Sequence, residues 1–94
     1  MCILYRIGLQ YDPAKAASNL KKHGVSFADA EGVFYDPLAL NRPDPDSDAE
    51  DRFVAVGLGI TGDILVVVYT IRGGDIRLIS ARRATRQEMK EYEN

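Results

Sequence analysis

The segment from Ile64 to Ser80 constrains the fold more than any other part of the chain. Its first half, ILVVVYTIR, is a run of β-branched, aliphatic and aromatic residues, which favours a buried strand. The turn Gly73-Gly74-Asp75 follows, and IRLIS then resumes the strand pattern. Two such runs around a short glycine turn are typical of a β-hairpin. The sequence therefore predicts a central pair of antiparallel strands.

Three further segments predict strands beside this hairpin. Met1 to Tyr11 alternates apolar and polar residues, the pattern of a half-buried strand. Arg52 to Gly59 predicts a strand that is joined to the hairpin by a short glycine turn, so that three strands form an antiparallel meander. Leu38 to Asn41 is a weaker strand, and the proline- and aspartate-rich segment Arg42 to Asp51 predicts an exposed loop.

Capping residues predict a first helix after the first strand. Asp12 is a good N-cap, and Pro13 suits the first helical position, where its missing N–H costs nothing. The helix is expected to run to His23 and to end at Gly24, the residue type that most readily adopts the left-handed exit conformation. Its inward face is predicted to consist of Ala16, Ala17 and Leu20.

Two more helices complete the predicted fold. Ser26 caps the second, which ends at Asp36-Pro37 and forms a hairpin with the first. Thr85 and Glu88 form a capping box that begins the last. The order β-α-α-β-β-β-β-α predicts an α+β fold, with an antiparallel twisted sheet packed by an N-terminal helix hairpin and a C-terminal helix.

Composition narrows the class of protein. With 94 residues, 46% of them hydrophobic and 28% charged, the chain is expected to form a single globular domain over residues 1–94. One cysteine, Cys2, excludes an internal disulfide framework and a multi-cysteine zinc site, and with no signal peptide it suggests the cytoplasm. The longest apolar run, Ile64 to Ile71, is too short to span a bilayer, so no membrane contact is expected.

Charge is segregated along the chain although the net charge is only −2. Six carboxylates and one arginine lie between Asp36 and Asp51, whereas five arginines and one carboxylate lie between Arg72 and Arg86. Arginines at the ends of two paired strands can converge on a phosphate. They also fit a solvated sheet edge that deters pairing with another sheet. Both interpretations stand for Arg72, Arg77 and Arg82 at this point, while Arg86 and Lys90 fit a solvated helix face.

Other polar residues offer weaker signals. His23 suits the last turn of its helix, where positive charge complements the dipole, and it is a less favoured general acid. Glu50 beside Arg52 is either a base next to a phosphate-binding group or a surface ion pair. Strict alternation along the second hairpin strand places Arg77 and Ile79 on one face and Ser80 on the other. Metal-ligand spacings, Walker loops and dinucleotide fingerprints are absent from the sequence, and no cofactor is expected.

Four segments resemble the BrnT toxins of bacterial type II toxin–antitoxin systems. They are YDPAKAASNLKKHGVSFADA, AED with the following RF, VVVYTIRGGDIRLISARRAT and QEMKEYE, and the resemblance covers Tyr11 to Glu93. It implies a RelE-like fold and a ribonuclease that blocks translation. It also implies a BrnA-like antitoxin with a ribbon-helix-helix part, so that DNA contact occurs only through the antitoxin. A dimer, or a hetero-tetramer with the antitoxin, would fit this pairing.

The resemblance and the residue chemistry together give a set of expected site residues. Catalytic roles are expected for Glu50, Arg52, Arg72, Arg77 and Arg82, with the arginines of the hairpin and of the segment after it meeting in one pocket. RNA contacts are expected from Lys22, His23, Tyr69, Ser80 and Arg83. The alternative is a non-catalytic module whose arginine-rich sheet edge docks a protein partner.

One position departs from the family pattern. The BrnT family often has an acidic residue just before the arginine of the central strand, and here that residue is Ile71. If a carboxylate at that position assists catalysis or orients Arg72, the chain is expected to be a weaker nuclease. If the position is a surface one, the substitution is without effect.

Overall fold

The structure, a computed structural model, describes residues 9–47 and 51–93. Five strands and three α-helices are found in these ranges. The strands are β1 Leu9–Gln10, β2 Leu40–Pro43, β3 Arg52–Leu58, β4 Ile64–Arg72 and β5 Asp75–Arg83. The helices are α1 Pro13–His23, α2 Phe27–Ala30 and α3 Arg86–Glu93, with a 3₁₀ helix at Glu31–Tyr35. The predicted α+β class and the order of elements are confirmed.

All five strands form one sheet in the order β1-β5-β4-β3-β2. The predicted central hairpin is confirmed, because β4 pairs antiparallel with β5 and Arg72 lies opposite Asp75. Gly73 and Gly74 have φ values of 57° and 87°, and two successive positive φ angles are what a two-residue type I′ hairpin loop needs. The predicted meander is confirmed as well, since β3 pairs antiparallel with β4.

The sheet is mixed, and the prediction of a wholly antiparallel sheet was wrong. β1 pairs with β5 in parallel, through Leu9 opposite Ile76 and Gln10 opposite Arg77. Between them the chain passes through α1, α2 and three strands, and a long crossover of this kind is what parallel neighbours require. Alternation in a sequence indicates a strand but not its direction. The rest of the first predicted strand, residues 1–8, lies outside the described residues.

Helix α1 has the predicted ends and a different inward face. The Asp12 side chain accepts a hydrogen bond from the Ala14 N–H, and Gly24 adopts a φ of 70°. Leu20, expected to face inward, is 51% exposed, and Ala17 is exposed as well. The buried residue of α1 is Asn19, because this helix covers the polar edge of β5.

The side chain of Asn19 makes the hydrogen bonds that a neighbouring strand would make at that edge. Its Oδ1 accepts a hydrogen bond from the Ala81 N–H at 3.0 Å, and its Nδ2 donates to the Ala81 carbonyl at 2.8 Å. The same Nδ2 donates to the Val25 carbonyl at 2.9 Å, which ties the exit of α1 to the sheet. Within the described residues β1 pairs only with Ile76 and Arg77 of β5. Asn19 therefore supplies the hydrogen-bond partners for the backbone of β5 at Ala81, beyond the end of β1. The amide is 6% exposed.

The two faces of the sheet have separate cores. The face toward α1 and α2 carries the larger one, whose fully buried side chains are Phe27, Val33, Leu65, Val67 and Leu78. On the other face Val54, Val56 and Val66 pack with Tyr92 of α3, and the Tyr92 hydroxyl donates to Asp36 Oδ2 at 2.5 Å. The second predicted helix is a single α-helical turn that continues as the 3₁₀ helix. The helix hairpin stays a prediction.

Strand β5 contains a bulge that the sequence did not reveal. Val68 lies opposite Ser80 and Tyr69 lies opposite Leu78, so that Ile79 is an extra residue in β5. Directly opposed residues share a face, and Val68 and Thr70 lie on the same face of β4. Arg77, which is opposite Thr70, therefore shares a face with Ser80. The predicted division of Arg77 from Ser80 was wrong because strict alternation stops at a bulge.

No helix in the described ranges is long and apolar enough to cross a membrane.

Replacing Asn19 should destabilise the fold well beyond the effect of a surface change. In Asn19→Ala the Ala81 N–H and C=O and the Val25 carbonyl lose their partners, and a buried polar group without a partner costs about 1–3 kcal/mol. We expect the free energy of unfolding, measured by urea denaturation, to fall by about 3 kcal/mol. The neighbouring exposed substitution Ser18→Ala is the control, and equal effects of the two variants would contradict the role of Asn19.

Candidate active site

A polar pocket of about 190 Å³ lies where β3, β4 and β5 come close to α1. Arg52 is opposite Thr70, and Thr70 is opposite Arg77, so the sheet register places these three side chains in one row across three strands. Arg72 ends β4 at the same pocket, and Lys15 approaches from α1. Four cations therefore surround a space that contains one carboxylate residue, Asp51, among its described walls. Such a pocket favours an anion with several acceptor oxygens.

The arginines of this pocket are available to a ligand. In the described part of the chain, ion pairs with N···O distances up to 4.0 Å are made by Arg82 and Arg83 and not by Arg52, Arg72 or Arg77. Their guanidinium donors are therefore not neutralised by described carboxylates of the protein. The backbone around them is fixed, since the Thr70 hydroxyl and the Ile71 N–H both donate to the Asp51 carbonyl.

Arg82 does not line this pocket, and the prediction that it meets Arg72 and Arg77 there was wrong. Its guanidinium donates two hydrogen bonds to Glu88 of α3, from Nη1 to Oε1 at 2.8 Å and from Nη2 to Oε2 at 2.9 Å. Glu88 also accepts from the Thr85 N–H, and the Thr85 hydroxyl accepts from the Glu88 N–H, which confirms the predicted capping box. The Arg82 hydrogen bonds lower the pKa of Glu88 to about 2. Arg82 therefore fastens the start of α3 to β5.

Lys22, His23 and Ser80 line a second cavity, of about 260 Å³, between α1 and β5. Lys15 and Ile79 belong to the walls of both cavities, so the two cavities adjoin. His23 is half-buried at the end of α1, and its carbonyl accepts a long hydrogen bond of 3.5 Å from Arg83 Nη1. Lys22 is exposed. Three of the expected RNA contacts are thus brought together beside the arginine pocket.

Tyr69 and Arg83 lie away from both cavities. Tyr69 is 7% exposed, stacks on Phe53 and meets Phe34 edge-to-face, and its hydroxyl donates to Asn41 Oδ1 at 2.7 Å. Burial raises the pKa of Tyr69. Tyr69 is therefore a core aromatic whose hydroxyl reaches a polar edge, and its contact with RNA stays a prediction. Arg83 is exposed and bonds to Asp63 at 3.4 Å near the far end of β5.

Two charged residues of the pocket, Lys15 and Asp51, were missed from the sequence. Glu50 lies outside the described residues, and its neighbour Asp51 lines the pocket. Lys15 was missed although it forms a polar stripe with three other residues of α1 at intervals of three and four positions, the spacing of one helix face. That stripe consists of Lys15, Ser18, Asn19 and Lys22.

Ile71, where the family often has an acidic residue, is 43% exposed and does not belong to the described walls of the arginine pocket. It lies opposite Ile76, on the face away from Arg72 and Thr70. A side chain at this position is therefore directed away from the pocket.

Within residues 9–47 and 51–93, no group of three histidine, cysteine, aspartate or glutamate side chains is placed to hold a metal ion.

Comparison with known proteins relates the chain to a family of ribonuclease toxins. The sequence model of the family described as ribonuclease toxin, BrnT, of type II toxin–antitoxin systems matches residues 11–88. The crystal structure of the Brucella abortus ribonuclease toxin BrnT superposes with a TM-score of 0.68 at 27% sequence identity, over 86% of this chain and 100% of that one. No curated protein sequence matches the chain.

The bond between Arg82 and Glu88 should make stability depend on pH in the acidic range. A carboxylate whose pKa is lowered on folding stabilises the fold above its ordinary value of 4.5, and that contribution is lost as the pH falls toward about 2. We expect Glu88→Gln to be less stable than the wild type by about 1 kcal/mol at neutral pH, since the pair is partly exposed. The difference should disappear near pH 2 in urea titrations.

Glu91→Gln, on the same helix and exposed, is the control for this titration. A Glu88→Gln difference that stays constant from neutral pH to pH 2 would show that the ion pair does not cause it.

Proposed function

The chain belongs to the BrnT family of ribonuclease toxins from type II toxin–antitoxin systems, and on that premise we propose that it is an endoribonuclease that cleaves RNA without a metal ion and thereby inhibits translation. The observation that carries the proposal is the meeting of Arg52, Arg72, Arg77 and Lys15 in one pocket. A pocket with an excess of positive charge and several forked donors suits a phosphodiester.

Binding of the scissile phosphate is assigned to the three arginines. Arg52 and Arg77 flank Thr70 in one row, and Arg72 stands at the end of the central strand. Their guanidinium groups would hold the non-bridging oxygens and stabilise the negative charge that grows on them in the transition state. One such donor is commonly worth about 3 kcal/mol. The three sit on paired strands of a sheet, which keeps their spacing fixed while the reaction proceeds.

The chemical step is an internal transfer. The ribose 2′-oxygen attacks the adjacent phosphorus while its proton passes to a carboxylate, and the bond from phosphorus to the 5′-oxygen breaks. The products are a 2′,3′-cyclic phosphate and a 5′-hydroxyl. We assign the base to the Glu50-Asp51 pair, of which Asp51 lines the pocket. A base within reach of the 2′-hydroxyl contributes about 10²- to 10⁴-fold to the rate.

Lys15 is our choice for the acid that protonates the leaving 5′-oxygen. An ammonium group gives up a proton more readily than a guanidinium group, so arginine is poorly suited to this role. Lys15 lines both the arginine pocket and the cavity of Lys22 and His23. We assign that second cavity, including Ser80, to the phosphate next to the one that is cleaved. Arg82 is bonded to Glu88 and lines neither cavity, so we assign it no contact with these phosphates.

A partner follows from membership of the family. We propose that a BrnA-like antitoxin with a ribbon-helix-helix part neutralises the toxin, that the toxin forms a dimer or a hetero-tetramer with the antitoxin, and that any contact with DNA is made by the antitoxin. The RelE-like topology is part of the same proposal. The α+β architecture with a mixed five-stranded sheet supports it.

Cleavage by the purified chain should continue in the presence of a chelator and should depend on Arg77. We expect Arg77→Ala to lower kcat on RNA by about 10²-fold, the usual effect of removing one charge-stabilising donor. The products should carry 2′,3′-cyclic phosphate ends. Arg86→Ala is the matched control, since Arg86 is an exposed arginine of α3 outside the described cavities.

In cells, inducing the wild type should arrest protein synthesis, and co-inducing the product of the adjacent antitoxin gene should restore it. Arg77→Ala should not arrest synthesis. Intact RNA in the purified assay, together with tight binding of the antitoxin, would favour a non-catalytic docking module over the nuclease.

The role of Lys15 can be separated from simple phosphate binding. Lys15→Ala should slow cleavage of ordinary RNA by about 10²-fold or more, because the 5′-oxygen then leaves without a proton. With a substrate whose 5′-oxygen is replaced by sulfur, a leaving group that needs no proton, the loss should nearly vanish. Lys21→Ala, on the same helix but outside both cavities, is the control. An equal loss on the two substrates would remove Lys15 from the acid role.

A further inference from the structure

A third and larger groove, of about 380 Å³, lies on the sheet face that carries Arg77 and Ser80. Its floor is formed by Val54, Val66 and Val68, and the start of α3 closes one side. Strand β2 and the turn after it form the other side, with Arg42, Asp44 and Asp46. The volume is within the range of small-molecule sites, about 300–1,000 Å³.

The charges of the groove differ from those of the arginine pocket. Arg82 and Glu88 lie in its wall but neutralise each other through their two hydrogen bonds. Arg42 then faces two aspartates, so the balance of the described walls is negative. A phosphate is disfavoured there, whereas a flat apolar group with polar edges suits a valine floor and a polar rim. The groove therefore fits the uncharged part of a nucleotide.

The groove adjoins the arginine pocket on the same face. The row Arg52, Thr70 and Arg77 is followed along the strands by the row Val54, Val68 and Ser80. Successive residues on one face of a strand are about 7 Å apart. A nucleotide whose phosphate is bound by the arginines would thus extend its base over the valines.

The rim of the groove carries a donor, Arg42, and two acceptors, Asp44 and Asp46, on one chain segment at the end of β2. Asp44 Oδ1 accepts from the Asp46 N–H at 3.0 Å, which fixes the turn that holds both carboxylates. Arg42 forms no ion pair with any described carboxylate. Guanine presents two neighbouring donors, N1–H and N2–H₂, and two acceptors, O6 and N7, and arginine binds that acceptor pair in a bidentate manner. Uracil has one ring N–H between two carbonyls, which carboxylates repel.

We propose that the groove bounded by Arg42, Asp44, Asp46 and the three valines is a nucleobase site that selects guanine beside the scissile phosphate. The proposal rests on the proposed nuclease function and adds the sequence preference of its substrate. The carboxylates accept from the guanine N–H groups, Arg42 donates to O6 and N7, and the ring lies on the valine floor. Recognition of single-stranded RNA commonly combines such edge contacts with packing against the base plane.

The test uses uridine oligonucleotides that carry one central guanosine, adenosine, cytidine or uridine. We expect the wild type to cleave beside guanosine at least about tenfold faster in kcat/KM than at the all-uridine substrate, the size of one good bidentate contact. Asp46→Asn replaces an acceptor oxygen by a donor amide, so the ratio should fall to about threefold or less. Arg77→Ala should slow all substrates together and keep the ratio, because phosphate contacts do not discriminate bases.

Glu31→Gln, on the 3₁₀ helix outside this groove, should leave the ratio unchanged. Two outcomes would overturn the guanine site without affecting the proposed nuclease function. One is cleavage with no preference among the four substrates, and the other is an Asp46→Asn variant that keeps the wild-type ratio of kcat/KM. The same holds if Asp46→Asn weakens only antitoxin binding, since the groove would then dock a protein.

If the wild type cleaves no RNA, the proposed function fails. The guanine site is then tested by the binding of single nucleotides. Guanosine monophosphate should then bind the wild type at least about tenfold more tightly than uridine monophosphate, and Asp46→Asn should remove the difference. Equal affinities for the two nucleotides would overturn the guanine site independently of catalysis.

Discussion

The exposed backbone edge of β5 is the constraint on which the arrangement of this molecule depends. A strand that borders a buried core needs partners for its N–H and C=O groups, and β1 supplies them only at Ile76 and Arg77 within the described residues. The Asn19 amide supplies them at Ala81, with one acceptor and one donor in the manner of a neighbouring strand. Because that amide sits on α1, the helix is held at a fixed position along the sheet. Lys15, one turn earlier on the same helix, therefore reaches the arginines of β3, β4 and β5.

The bulge at Ile79 determines which side chains of β5 lie on the same face of the sheet. Without the extra residue, Arg77 and Ser80 would face opposite sides of the sheet. With it, both face the side that carries Thr70 and Val68, and Ile79 itself lies between the arginine pocket and the cavity beside α1. Bulges re-aim side chains in this way next to functional sites in many sheets. Ser80 in turn borders both the cavity of α1 and the valine groove, so the three recesses lie side by side.

The features that the sequence predicted correctly depend on neighbours along the chain. The hairpin at Gly73-Gly74, the cap at Asp12 and the capping box of Thr85 and Glu88 each involve residues a few positions apart, and local stereochemistry decides them. The parallel direction of β1 and the burial of Asn19 depend on partners more than sixty residues away. The bond between Arg82 and Glu88 could not be predicted either, because no local rule pairs an arginine with a glutamate six residues later. Residue chemistry identified the cations of the pocket, and only the folded chain could show that Lys15 joins them and that Arg82 does not.

Helix α3 is attached to the rest of the fold mainly at its two ends. Arg82 holds Glu88 in the first turn, and the Tyr92 hydroxyl holds Asp36 near the last, while no residue between Arg86 and Glu93 is buried. Apart from Tyr92, which packs on the valines of the sheet, such a segment has little apolar area to lose when it detaches, so its opening costs less free energy than global unfolding. Its amide protons exchange with solvent through that small opening, whereas those of β4, covered on both faces, exchange only when the whole sheet opens. The α3 wall of the valine groove is thus expected to open more easily than its floor.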